Sequence, residues 1–548
     1  MSRQDWYYGW RDVVASWPEG GTPPTKPLVP WEQTKRERLQ SGLLARDLVE
    51  AVLRDPNVYR FAASIPARCP DDAAVRGGRR RQYPEWALVL FGCLKAIYGS
   101  ANAAEKITRN PKQWRDMLAV VATMLGQPAV TGLPALGPNY DHYRTLGNVY
   151  VSKEEIDRYI EDFEVLAARR AVEIGYFDPN EQIRILKPSR LRAVSIDGKV
   201  HSSPTSQTKS TYVDKATGEI KKRRMDDARH LWPEGGNETM THGSKFTWAM
   251  AQHTMANLRV VLSLRHMPPV PKGLPKSEKA NHKNEARHFY DMAARIAGLL
   301  PGADVFLFDG AWRGRDVTAF QQATGRMTYS RLHQSPKKYD HLKINGTAYK
   351  AKPLPIHDQH PSRKWTCPGH ALIAVGGGLW EGILDAAAGQ QFREVKRVKN
   401  QRQTSPSGWQ WSANFSLPCR HDANGEVVHT WWESLNQSHD DDLAQFNRGE
   451  HLRLAPVYGA DHVRVYGFRA AVEALNNTSE HTWYRDRLAA WGSHRQTLDM
   501  FMFGLVVNAS TLSVYSTYAL KSGASLPWHP HDARELATAF RDGQAMAS

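Results

Sequence analysis

Apolar positions along this chain recur first with a helical period and then, beyond residue 182, mostly in short extended runs. Thr34 to Arg54 carries apolar residues at helical spacing and is expected to stop before Asp55-Pro56, because proline cannot continue a helix. The same spacing predicts helices over Pro84 to Tyr98, Ala101 to Thr108, Pro111 to Leu125 and Glu154 to Ile174, with Gly99-Ser100 as a break. Residues 1–182 therefore read as a helical N-terminal region behind an irregular arm rich in Pro, Gly and Trp.

Past Gln182 the texture becomes α/β. Ile183 to Ile196 is extended and its run Ala193-Val194-Ser195-Ile196 is expected to end at Asp197-Gly198. Phe246 to Thr254 and Leu258 to Leu264 read as two strands around a turn at Met255-Ala256-Asn257, and Ser277 to Leu300 as a helix. Asp304 to Asp309 is a short apolar run typical of a buried strand, followed by a helix from Arg315 to Ala323 and a strand near Met327. From Pro336 to Pro456 the chain is β-rich, with many Gly, Pro and Trp; helices over Val465 to Asn477 and Gln496 to Leu520 close the pattern. The expected segments are 1–182, 183–335, 336–456, 457–523 and a tail 524–548.

Composition changes this picture in two ways. Its 548 residues, 41% hydrophobic and 23% charged, suit a large globular protein, and four cysteines argue against a disulfide scaffold. The longest apolar stretch, around Met500 to Val507, falls short of the roughly 20 residues that span a bilayer. Met1 to Arg11 lacks a signal-peptide core, so no export and a cytoplasmic location are expected. A formal charge of +16 favours a polyanionic partner through counterion release, with a merely solvated basic surface as the alternative. The cluster Arg76, Arg79, Arg80 and Arg81 before a helix–turn–helix could read DNA or cap an ordinary bundle.

Two apolar strand runs end in aspartate, Asp197 and Asp309, and each is followed by glycine. A carboxylate at a strand end is held rigidly at the sheet edge where α/β proteins bind ligands, although Asp-Gly is also a common turn. Tyr466, Arg469 and Glu473 are spaced by three and four residues, which places them on one stripe of a helix, while Phe468, Val472 and Leu475 form a separate apolar stripe.

The Y-(2)-R-(3)-E spacing, with Ser195-Ile196-Asp197-Gly198 and Leu307-Phe308-Asp309-Gly310 upstream, resembles the signature of DDE transposases from bacterial insertion sequences. Asp309 follows Asp197 by 112 positions and Glu473 follows Asp309 by 164, room for the β-strand insertion these enzymes carry. The resemblance covers about Arg190 to Leu520. It implies a ribonuclease-H-like mixed-sheet core interrupted by a β-rich insertion, and a catalytic triad of Asp197, Asp309 and Glu473. It further implies two Mg²⁺ ions, replaceable by Mn²⁺, held by those carboxylates, transposon-end and target DNA as partners, and a homodimer on DNA. Tyr466 and Arg469 would contact end phosphates, and nothing points to a membrane. The family's lysine seven residues beyond the glutamate is Glu480 here, with His481, Arg485 and Arg487 nearby. A related nuclease without strand transfer and an inactive DNA-binding derivative stay open beside the active transposase.

Other residues carry candidate chemistry. Trp312 could stack on an unpaired base near the cut or belong to the core. Arg393, Lys396, Arg397, Lys399 and Arg402, followed by Trp409 and Trp411, suit either DNA contact or a solvated edge strand. Cys367, His370, Cys419 and His421 could surround a zinc ion despite non-standard spacing, the alternative being unrelated side chains of a β region. Lys221 to Arg224 reads as a solvated basic loop, and Asp440 to Asp442 as a helix start.

Overall fold

The computed structural model describes residues 45–522 and a few near the N-terminus, apart from internal segments of which 67–81, 333–340 and 356–369 are the longest. The arginine cluster at 76–81, the 255–257 turn and Glu480 lie outside the described residues. The fold is mixed α/β and divides into two compact units. The first comprises Met1–Tyr176, Asp197–Asn284 and Ala471–Ser548; the second comprises Phe177–Ile196 and Glu285–Ala470. This division cuts across the linear segments expected from sequence, because the late helices join the N-terminal ones.

In the first unit, helices α1 (Ala45–Arg54), α2 (Pro56–Ser64), α3 (Glu85–Tyr98), α4 (Ala101–Thr108), α5 (Pro111–Met124), α6 (Tyr140–Thr145) and α7 (Ile156–Glu173) precede the sheet. Asp55 does more than stop α1. Its carboxylate accepts the Asn57 amide hydrogen at 2.8 Å, capping α2 with Pro56 in the first turn, and meets Arg170 of α7 at 2.5 Å. Both ionic groups are buried, so removing either partner would cost about 3–5 kcal/mol. Gly99 ends α3 with φ 61°, a left-handed position that suits glycine.

Strand β1 (Ala193–Ser202) begins in the second unit and ends in the first. The first unit adds the small hairpin β2 (Thr211–Val213) and β3 (Ile220–Lys222), then β4 (His230–Glu234), β5 (Thr239–Gln252) and β6 (Arg259–Met267), with β5 antiparallel to both β4 and β6. The basic stretch at Lys221 thus begins on a strand.

After β6, the second unit brings α8 (Glu285–Leu299), β7 (Val305–Leu307), α9 (Gly314–Thr324) and β8 (Met327–Tyr329). Ala193–Ser195 of β1 pair in parallel with β7, and β7 pairs in parallel with β8. Parallel neighbours need crossover connections, which α8 and α9 supply. The mixed sheet has the order β4-β5-β1-β7-β8, with β6 on β5.

The expected β-rich region consists of two antiparallel sheets. One contains β9 (His341–Ile344), β10 (Thr347–Pro353), β11 (Ala371–Val375), β12 (Gly378–Asp385) and β13 (Gly389–Glu394); the other contains β14 (Lys396–Ser405), β15 (Gly408–Pro418) and β16 (Val428–Ser434). Trp411, Phe415, Trp431, Leu452 and Leu454 are buried in the hydrophobic core of this unit. Short helices α10 (His439–Leu443), α11 (Arg448–His451) and α12 (Ala460–Tyr466) follow. Asp440 to Asp442 do start α10, capped by Ser438. Arg448 draws Asp441 and Glu433 into a buried ionic cluster at 2.5 and 2.6 Å.

The chain returns to the first unit through α13 (Ala470–Thr478) and ends with α14 (Ser493–Ser522). By length and composition Ser493–Ser516 could cross a membrane, a longer apolar segment than the sequence suggested, but 89% of its apolar window is buried inside the protein. Its polar side chains are matched within the protein. Asn508 bonds both the amide and the carbonyl of Val261 at 2.8 and 3.0 Å, and the Thr511 hydroxyl accepts the Arg259 amide hydrogen at 3.2 Å. Backbone groups of β6 are thereby satisfied on the side where no further strand pairs among the described residues. Asp499 on the same helix binds Lys95 at 2.6 Å and the Tyr143 hydroxyl at 2.8 Å.

Candidate active site

Asp197 lies within β1 rather than at its end, since the strand runs on to Ser202. What ends near Asp197 is the pairing with β7: Ser195 opposite Leu307 is the last matched pair. Asp197 stands two residues beyond Ser195, and Asp309 stands two residues beyond Leu307. Asp309 is half-buried and closes its own turn, its Oδ1 accepting the Ala311 amide hydrogen at 2.8 Å.

Within the first unit, buried Asp197 accepts a hydrogen bond from Nδ2 of Asn476 at 3.0 Å. Asn476 lies on α13 one turn after Glu473, so this bond ties the first aspartate to the helix that carries the glutamate. Glu473 is exposed. Sequence reasoning missed Asn476; its position three residues past Glu473 was the available signal. Among the described residues of the first unit, no group of three potential metal ligands includes Asp197 or Glu473. All-oxygen carboxylate donors fit Mg²⁺ rather than a soft metal.

The Tyr466–Arg469–Glu473 stripe requires correction. Tyr466 ends α12, Gly467–Arg469 form a 3₁₀ turn, and Glu473 belongs to α13, so no single regular helix carries all three. Tyr466 stacks on His462 at 5.5 Å and packs against the second unit's core. Arg469 is 7% exposed and does not present an open guanidinium for a phosphate.

Trp312 is also corrected. It is 1% exposed, stacks on Phe308 with centroids 3.8 Å apart, and donates its indole N–H to the Ala286 carbonyl at 2.8 Å. No ring face is left for a base.

The basic stretch separates into two kinds of cation. Arg397 donates to the carbonyls of Arg453 (2.7 Å), Leu454 and Gly377 (3.2 Å); burial pushes its pKa down to about 10, which leaves it charged at neutral pH. Arg393 pairs with Glu381 at 2.5 Å, and Arg402 donates to the Gly325 carbonyl while lying over Trp409 and Trp411. These arginines hold the β region together. Lys396 and Lys399 are the exposed members suited to a polyanion.

Of the four residues considered for zinc, Cys367 and His421 lie outside the described residues. His370 and Cys419 are brought together, and with them His429, which was not foreseen. The ligand atoms of these three lie within 4.8 Å of one another. Its ten-residue distance from Cys419 hid His429: the bond from the Cys419 amide to the Val427 carbonyl, 2.8 Å, closes the loop that returns it.

Comparison of the chain with protein-family models and with curated proteins gave no match.

Proposed function

We propose that this protein is a DDE-type DNA transposase in which Asp197, Asp309 and Glu473 are the metal-holding carboxylates. The observation that carries the reading is the hydrogen bond within the first unit from Asn476, on the helix of Glu473, to the buried carboxylate of Asp197. The element order supports a ribonuclease-H-like core: antiparallel β5 and β6, parallel β7 and β8 reached through helices, two inserted antiparallel sheets, then α13. The surplus of 72 Lys and Arg over 56 Asp and Glu fits a DNA substrate.

Asp197, Asp309 and Glu473 would hold two Mg²⁺ ions, which supply activation of the attacking oxygen and stabilisation of the leaving oxygen in an in-line displacement. The chain's part is to present the carboxylates rigidly. Asp197 is anchored by its strand and by the Asn476 amide, Asp309 by its turn, and Glu473 by α13. Lys396 and Lys399 would contribute sequence-independent DNA contact. Hydrolysis at the transposon end, followed by attack of the freed 3′ hydroxyl on target DNA, is the reaction pair implied by the resemblance.

The test uses a supercoiled plasmid carrying the DNA that flanks the coding region, incubated with the full-length protein and Mg²⁺. Nicked and joined products are expected, and Asp197→Asn should lower both by about a thousand-fold or more, roughly 4 kcal/mol of barrier. Cutting without joining would replace the transposase by a nuclease. Binding without cutting would leave an inactive derivative, and undiminished cutting by Asp197→Asn would overturn the site.

A further inference from the structure

We infer that His370, Cys419 and His429 form a zinc site that ties together the two β-sheets of the second unit, independently of the proposed DNA chemistry. His370 immediately precedes β11, Cys419 immediately follows β15, and His429 is the second residue of β16. An ion there would join the five-stranded sheet to the three-stranded one.

The geometry is close to what zinc needs. For three atoms no more than 4.8 Å apart, some point lies within about 2.8 Å of all three. Zinc bonds to nitrogen and sulfur measure roughly 2.0–2.3 Å, so a movement of about half an ångström completes the contacts. One thiolate and two imidazoles are a borderline-soft donor set, which favours Zn²⁺ over Mg²⁺ or Ca²⁺. His370 and Cys419 are both only 7% exposed, so little water competes for the position. Three protein ligands leave a fourth position for water or another side chain.

The second observation is the support behind His370. Its Nδ1 is in short contact with Oε1 of Glu381, a carboxylate with 0% exposure on β12. Glu381 is itself held by Arg393 at 2.5 Å and approached by Arg420 at 3.6 Å. With Nδ1 engaged by the carboxylate, Nε2 becomes the metal-binding nitrogen. A carboxylate behind a ligating histidine sets the ring's tautomer and orientation, and losing it lowers affinity typically by about 10–100-fold. The His370 and His429 rings meet edge to face with centroids 5.1 Å apart, which brings the two imidazoles to one position.

The experiment strips full-length protein with a chelator, restores zinc alone, and measures stoichiometry and affinity by competition with a chromogenic chelator. One zinc per chain is expected. Cys419→Ser and His429→Ala should each weaken binding by about 100-fold or more, and Glu381→Gln by about 10–100-fold. Cys93→Ser, a buried cysteine of the first unit, should leave affinity unchanged. Should the ligand variants fail to fold, cobalt-loaded wild-type protein provides the check. A thiolate-to-cobalt charge-transfer band is expected, and its absence overturns the site. Absence of bound zinc in wild-type protein, or equal affinity in Cys419→Ser, also overturns it.

Discussion

Replacing Trp312 with alanine separates a core role from a DNA-stacking role, because the two predict opposite readouts. The indole is 1% exposed, its ring stacks on Phe308 at 3.8 Å, and its N–H reaches the Ala286 carbonyl at 2.8 Å. The aromatic pair is worth about 0.5–1.5 kcal/mol beyond buried area, and a buried carbonyl left without its donor costs about 1–3 kcal/mol. With the cavity included, Trp312→Ala should cost roughly 3–5 kcal/mol. Trp312→Phe keeps the ring and should lose about 1–3 kcal/mol. Hydrogen exchange of peptides spanning Glu285–Thr324, followed by mass spectrometry, reads this locally. At 1.4 kcal/mol per factor of ten, exchange in the alanine variant should accelerate about 100-fold or more. Unchanged exchange together with weakened DNA binding would refute the core assignment and restore the base-stacking one.

The remaining predictions concern the basic stretch and acid stability. Arg397→Met should destabilise the second unit by roughly 2–4 kcal/mol, because carbonyls of Arg453, Leu454 and Gly377 lose a charged donor; denaturant unfolding checks this. Lys396→Ala with Lys399→Ala should leave stability unchanged but lower the slope of log DNA affinity against log salt by about 2, measured by fluorescence anisotropy. Burial, reinforced by nearby cations, holds His451 down to about 3 and His462 to about 4, both below the ordinary 6.5. A depressed folded pKa gives stability that is complete above pH 6.5 and lost as pH falls toward 4 and then 3, because the unfolded chain takes the proton first. Unfolding midpoints measured from pH 7.5 to 4 should therefore decline, less steeply in His451→Gln.

Much of the element order was legible because its signals are local. Ser100 and Asn110 cap α4 and α5 at positions where the sequence announces helix starts, and Gly99 stops α3. Asp55 was read only as a terminator because its pairing with Arg170 spans more than a hundred positions. The same limit explains the arginines. Charge and spacing gave Arg393, Arg397 and Lys399 the same character, whereas tertiary packing drew half-buried Arg397 onto backbone carbonyls and left Lys399 exposed. The break between Tyr466 and Glu473 was invisible because a 3₁₀ turn at Gly467 barely disturbs a helical apolar stripe. His429 and Asn476 became visible only through partners brought close by β15–β16 pairing and by α13.

The proposal that Asp197, Asp309 and Glu473 hold a common metal is tested most directly by iron-directed cleavage of the polypeptide. Full-length protein is loaded with Fe²⁺ in place of Mg²⁺, treated with ascorbate and peroxide, and its fragments are mapped by mass spectrometry. Cuts clustered near residues 197, 309 and 473, suppressed together by excess Mg²⁺ and by Asp197→Asn, are the expected result. Fragments that omit the neighbourhood of 309 or 473, or that arise only around His370 and Cys419, would contradict the account.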